Sequence, residues 1–209
     1  MSPATSAGLG VVGIDVGGVS KGFHAVALNG GKFEPRRFME AVELADWCRA
    51  RAFRAVAIDA PCAWAASGRS RMAERSLAID GRKVSCFLTP TRSLAMGRAF
   101  YGWVFHGEKL YHHLAPTFRV FDGSARKGKV VFETFPQAIV CALAGIVVPA
   151  HPKAATRRAM LRGLGYDDRP LTNIDFVDAA LCAVTAERFV EGRTRAFGDR
   201  AEGFIVVPS

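Results

Sequence analysis

Residues 10–22 read Gly-Val-Val-Gly-Ile-Asp-Val-Gly-Gly-Val-Ser-Lys-Gly: an apolar, β-branched run, one aspartate, then a glycine turn. Such a run, extended back to Leu9, predicts a buried strand over 9–16 ended by Gly17-Gly18. A carboxylate at the end of a buried strand is costly unless it is hydrogen-bonded, protonated or holding a cation. Asp15 therefore poses a choice between two chemistries. Either the glycines turn the chain around a nucleotide's phosphates, or Asp15 holds a metal ion for phosphodiester cleavage, and each requires different partners downstream.

The segments that follow favour a sheet assembled around this strand. Phe23–Leu28 predicts a second strand, and Asn29-Gly30-Gly31 is a hairpin signal leading to a third around Phe33–Phe38. Pro35 puts that third strand at an edge. The period then changes: Glu40–Phe53 places Val42, Leu44, Ala45, Trp47 and Cys48 close together on an amphipathic helix. Arg54–Ala60 is again a short buried strand, ended by Pro61 and carrying Asp59 near its C-terminus. A strand–helix–strand unit makes its two strands parallel, so Asp59 belongs in the same sheet as Asp15. The expectation is an α/β domain whose mixed sheet joins an antiparallel three-strand meander to parallel strands, flanked by helices.

Further along, residues 68–81 predict a short helix with Arg69, Arg71 and Arg75 on its exposed side. Tyr101–Leu114 reads as a helix, and Phe118–Phe121 and Val130–Phe135 as strands around the polar turn 122–129. Pro136 can open the helix Gln137–Ala144. A basic helix over Lys153–Gly163, a long helix from about Asn173 to Val190 and a short strand Phe204–Val207 complete the pattern.

Composition bounds the rest. The chain has 209 residues, half of them hydrophobic, enough for a single domain over 9–209 behind a disordered tail over 1–8. No apolar run reaches the roughly 18 residues a membrane span needs, and no secretory leader is visible. Five cysteines, widely spaced and without a C-x-x-C pair, fit a reducing cytoplasm and small buried side chains. The net charge of +9, from 28 basic and 19 acidic residues, favours a polyanionic partner such as nucleic acid.

Four acidic places stand out: Asp15, Asp59, Glu133 in Glu-Thr-Phe-Pro136, and the pair Asp175 and Asp178. The pair is three residues apart, so on a helix it projects from one face. If the strands of Asp15 and Asp59 are neighbours, the start of the last helix can complete a cluster of oxygen ligands suited to Mg2+ or Mn2+. Such a centre hydrolyses phosphodiesters. Each acid also has a local role open to it. Asp15 and Asp59 can cap turns, and Thr172 with Asp175 resembles a capping box.

The ordered set "GIDVGG", "AIDAPCAW", "GRSRMAER", "FETFPQA" and "IDFVDAALCAVTA" resembles the domain-of-unknown-function 429 family, whose members are predicted to be ribonuclease H-like nucleases. The late Asp-x-x-Asp also resembles that of RuvC-type resolvases. The resemblance implies a ribonuclease H-like fold with Asp15 as shared metal ligand, Asp59 and Asp178 as the next ligands and Asp175 in support. It implies for Glu133 a ligand or substrate-orienting role. The resolvase pattern has glutamate where Asp59 stands, which leaves the count of one or two metals open.

Arg69, Arg71 and Arg75, and separately Lys153, Arg157, Arg158 and Arg162, are candidate contacts to a nucleic-acid backbone, DNA or RNA; Arg158 and Arg162 lie four apart on one helix face, and the second group also reads as a solvated helix face. The resolvases suggest a homodimer by analogy. Two other functions fit the same residues: a non-catalytic nucleic-acid-binding or protein-interaction module, and an actin-like phosphotransferase using the GIDVGG loop. His24 is read as sheet packing or edge hydrogen bonding, and His106, His112 and His113 as core or surface.

Overall fold

The computed structural model describes residues 10–124 and 128–209. The disordered tail expected over 1–8 lies outside the described residues, as does the middle of the turn expected at 122–129. The first strand, β1 (Val11–Val16), pairs antiparallel with β2 (Phe23–Asn29), which pairs antiparallel with β3 (Lys32–Phe38). Asn29-Gly30-Gly31 makes the second hairpin, and Gly30 and Gly31 both take the positive φ that such a turn demands. Pro35 sits on the edge strand, as its missing N–H requires.

Helix α1 (Ala41–Ala50) buries Leu44, Ala45, Trp47 and Cys48 and returns the chain to β4 (Ala55–Asp59). Strand β4 lies parallel to β1 with Asp59 directly beside Asp15. Helix α2 (Met72–Ser76) is shorter than the segment expected over 68–81. Asp80-Gly81 takes positive φ at both positions, so the chain turns there as a hairpin between β5 (Ala78–Ile79) and β6 (Arg82–Lys83). Arg71 is also misjudged in the sequence: it is 1% exposed, buried as the N-cap of α2.

A short α3 (Arg92–Ala95) and a 3-10 turn at Ala99–Tyr101 lead into α4 (Gly102–Leu114). Strands β7 (Arg119–Val120) and β8 (Val130–Glu133) follow, then α5 (Pro136–Ala144) opened by its proline, and α6 (Lys153–Gly163). Helix α7 (Ile174–Val190) is capped by Asn173, whose side chain accepts from the Phe176 N–H at 2.9 Å; the cap is this asparagine, not Thr172. The chain ends in the hairpin β9 (Thr194–Asp199) and β10 (Gly203–Pro208). Strand β9 escapes the sequence because Thr-Arg-Ala-Phe-Gly-Asp has no run of apolar residues.

The sheet runs β3-β2-β1-β4-β8-β10-β9, with β7 also pairing to β8. Its mixture of parallel and antiparallel strands under helices is an α/β fold consistent with the ribonuclease H-like class. Alternate residues serve different layers. Val12, Ile14, Val16, Val56, Ile58 and Val131 pack in one core with side chains of α1 and α4. Val11, Ala55, Ala57 and Phe132 face the other, with α5 and α7. Helix α7 is buried on nearly every side, which is why it reads as apolar all round.

Close contact between β1 and α7 depends on one glycine. A Cβ at Gly13 would collide with the Ala179 carbonyl oxygen and the Ala183 nitrogen, so the helix backbone rests directly on the strand. Since side chains alternate along a strand, Gly13 shares its face with Asp15. The contact that admits α7 therefore also sets the height of α7 over Asp15.

Candidate functional site

In-register residues of neighbouring strands project from the same face of a sheet. Asp15 is in register with Asp59 on β4 and with His24 on β2, so all three stand on the α7 side. Asp175 and Asp178, from the first turns of α7, approach from above. His24 Nδ1 lies 3.9 Å from an Asp175 carboxylate oxygen. Asp15, His24 and Asp175 each present one ligand atom, and these atoms lie within 4.8 Å of one another.

Charge in this cluster is unevenly compensated. Burial, and then the negative charges of Asp178 and Asp175, push the Asp15 carboxyl up to about 7, against the opposing pull of Lys153 and Lys21. Asp59 is raised too, by burial first and then by Asp15 and Asp178. Asp178, deepest in the cluster, pairs with Lys153 at 2.9 Å and with the buried Arg157. Lys21, in the glycine turn, reaches Asp175 at 3.3 Å. Burial holds the His24 imidazole below its ordinary range, while Asp175 opposes that. The neutral ring leaves a nitrogen lone pair free to coordinate.

The glycine turn itself is closed. The Gly17 N–H donates to the Gly22 carbonyl at 2.9 Å, and the Gly18 carbonyl accepts from Lys21 and Gly22. His106 Nδ1 lies 2.9 Å from the Gly17 carbonyl, which pins the turn to α4.

Glu133 is not brought into the cluster. It is in register with Ile58, one residue out of phase with Asp59, and so leaves the opposite face of the sheet. There both its oxygens accept from the Arg71 guanidinium, at 2.6 and 2.7 Å, and one also from the Cys62 N–H. Arg71 further binds Glu74, whose carboxylate accepts from the Thr89 N–H. This network fastens the segment between β4 and α4 to the sheet and removes Arg71 from any outer surface. Burial, and then Glu133, push the Cys62 thiol up to about 12, so it is no nucleophile at neutral pH.

The other arginines divide as well. Arg69 and Arg75 are exposed. Arg158 and Arg162 both reach the Asp168 carboxylate and tie α6 to the following loop. On the same helix it is Lys153 and Arg157 that point to the acids.

The family model described as a protein of unknown function (DUF429) matches residues 13–203. The chain belongs to the DUF429 family. No curated protein and no solved structure matches it. The matched region of this DUF429 chain holds every residue of the cluster. His24 is the member that the sequence did not single out. Its signal was the short turn 17–22, which obliges β2 to fold back beside β1 and sets its second residue against Asp15.

Proposed function

We propose that this protein is a divalent-metal-dependent phosphodiesterase acting on nucleic acid. The observation that carries the proposal is the convergence of Asp15 and Asp59, side by side on parallel strands, with Asp175 and Asp178 from α7. The donor set fits a divalent ion: several carboxylates are concentrated where burial already penalises their charge, and a histidine nitrogen borders them. Asp15, with Asp175 beside it, would hold the ion, and Asp59 stands next to Asp15. A bound divalent ion supplies an activated water and stabilisation of the departing oxygen.

The protein's own groups set the stage for that chemistry. Asp59, kept protonated more readily than an ordinary carboxyl, can hand a proton to a leaving oxygen. Lys153 and Arg157 hold Asp178 in place and bring positive charge to the acid cluster. The closed glycine turn supports this reading over a phosphate loop, since the Gly17 N–H is already spent within the hairpin.

The test is cleavage of single- and double-stranded DNA and RNA with Mn2+. Asp15→Asn should abolish cleavage while its circular dichroism and melting curve remain those of a folded protein. Cleavage by the variant at the wild-type rate would refute the mechanism.

One observation favours a second reading, a binding module without catalysis. Lys153 and Arg157 already neutralise Asp178 without any metal. Crystals soaked in excess Mn2+ separate the two. Anomalous density at Asp15 supports the enzyme, and an ordered cluster without density supports the binding module.

A further inference from the structure

We infer that His24 is a direct ligand and that the centre therefore selects a first-row transition ion, Zn2+ or Mn2+, over Mg2+. The inference deepens the proposed function by naming its metal class, and rests on that reading for the metal's purpose only. His24 is 5% exposed, and its Nδ1 has no hydrogen-bond partner among the described residues. An unsatisfied buried nitrogen is costly and calls for a partner. The ring stands edge-on to Phe176, with centroids 4.8 Å apart, and the orphaned nitrogen is aimed at Asp175. Register with Asp15 fixes its other neighbour.

The three ligand atoms come from three different elements, β1, β2 and α7, so the donor set exists only in the folded chain. Two carboxylates alone would take Mg2+ or Mn2+ with little preference, whereas an imidazole nitrogen adds affinity for first-row transition ions, least for Mn2+ and more for Zn2+, and little for Mg2+. The neighbouring cation, Lys21, is 64% exposed on its side chain and long enough to swing into solvent when an ion engages Asp175.

The experiment uses the full chain with one equivalent of Mn2+ and no substrate. Electron spin echo modulation should show a directly bound imidazole nitrogen, and calorimetric titrations should give a dissociation constant for Mn2+ at least ~10-fold below that for Mg2+. His24→Gln should lose the nitrogen coupling. It should weaken Mn2+ binding by more than the ~10–100-fold that removing an outer partner of a ligand costs, with Mg2+ affected much less. A Mn2+ signal without nitrogen coupling, or a coupling that survives in His24→Gln, overturns the inference. If the variant does not fold, the wild-type echo and anomalous density decide it. Density within roughly 2.0–2.3 Å of Nδ1 supports the ligand, and density bound by carboxylates alone refutes it. Nitrogen-coupled Mn2+ in a protein that cuts no nucleic acid would leave this inference standing and refute the phosphodiesterase. Cleavage with a carboxylate-only ion would do the reverse.

Discussion

Asp15 and Asp59 are acids that folding makes harder to ionise, and this gives the metal-free protein a distinctive pH dependence. Burial and the neighbouring Asp178 and Asp175 push the Asp15 carboxyl up to about 7 in the folded chain, against an ordinary 3.8. Between those values the folded state holds a proton that the unfolded state has released, so stability falls as pH rises through that window. Asp59 acts in the same direction. Urea midpoints in chelator should therefore be lower at about pH 8 than at about pH 5, and adding Mn2+ at the higher pH should raise the midpoint again. A midpoint unchanged by pH would mean that the two acids are not buried together. The opposite face makes a separate prediction. Arg71→Met leaves Glu133 and Glu74 buried without their cation, which should cost about 3–5 kcal/mol in chemical denaturation.

Helix α7 contributes two acids to the cluster and a run of small residues to its contact with β1. Ala179 and Ala183 meet Gly13 with no side chain between them. Gly13→Ala must push the helix off the strand, and overpacking of that kind costs about 1–3 kcal/mol. Because Asp175 and Asp178 ride on the same helix, Mn2+ affinity should fall together with the urea midpoint. Gly18→Ala is the control: a Cβ there meets nothing within 4 Å, and stability should change by less than about 0.5 kcal/mol. Equal losses in both variants would show that helix height is not what Gly13 protects. The alternation of apolar residues in β1 was legible without coordinates. The parity that separates Glu133 from Asp59 was not, because it is set by how β8 registers on β4, a pairing between segments 71 residues or more apart in sequence.

Over the whole molecule the chain carries an excess of nine positive charges. Four arginines are committed to buried acids: Arg71 to Glu133, Arg157 to Asp178, and Arg158 and Arg162 to Asp168. What remains outward includes Arg69 and Arg98, which share a groove of about 190 Å³ with Leu88, Leu94 and Tyr101. Phe100 beside it is 69% exposed and packs on Phe87 and Tyr101. Phe87 and Trp103 in turn line a small cavity with Arg71, Glu74 and Glu133, on the face of the sheet opposite the acid cluster. Under the proposed function, exposed aromatics among arginines would offer unpaired bases a surface to stack on. Oligonucleotide affinity should drop at least ~10-fold between about 50 and 200 mM salt, and Phe100→Ala should weaken single-strand binding by ~1–3 kcal/mol. Fluorescence anisotropy that is flat with salt would refute a nucleic-acid partner. Among the described residues no helix is long and apolar enough to cross a membrane.

Local sequence was enough for the meander, the parallel return through α1 and the juxtaposition of Asp15 with Asp59, because short turns and a right-handed crossover leave a strand few places to go. It was enough, too, for the helical pairing of Asp175 with Asp178. Only the tertiary structure decided which polar groups share a face and which cations they meet. It turned Glu133 to the far side, buried Arg71, gave Asp178 to Lys153 and Arg157, and left the His24 nitrogen facing Asp175. Those outcomes depend on strand register and helix height, which arise from contacts between distant segments and leave no periodic trace in the chain.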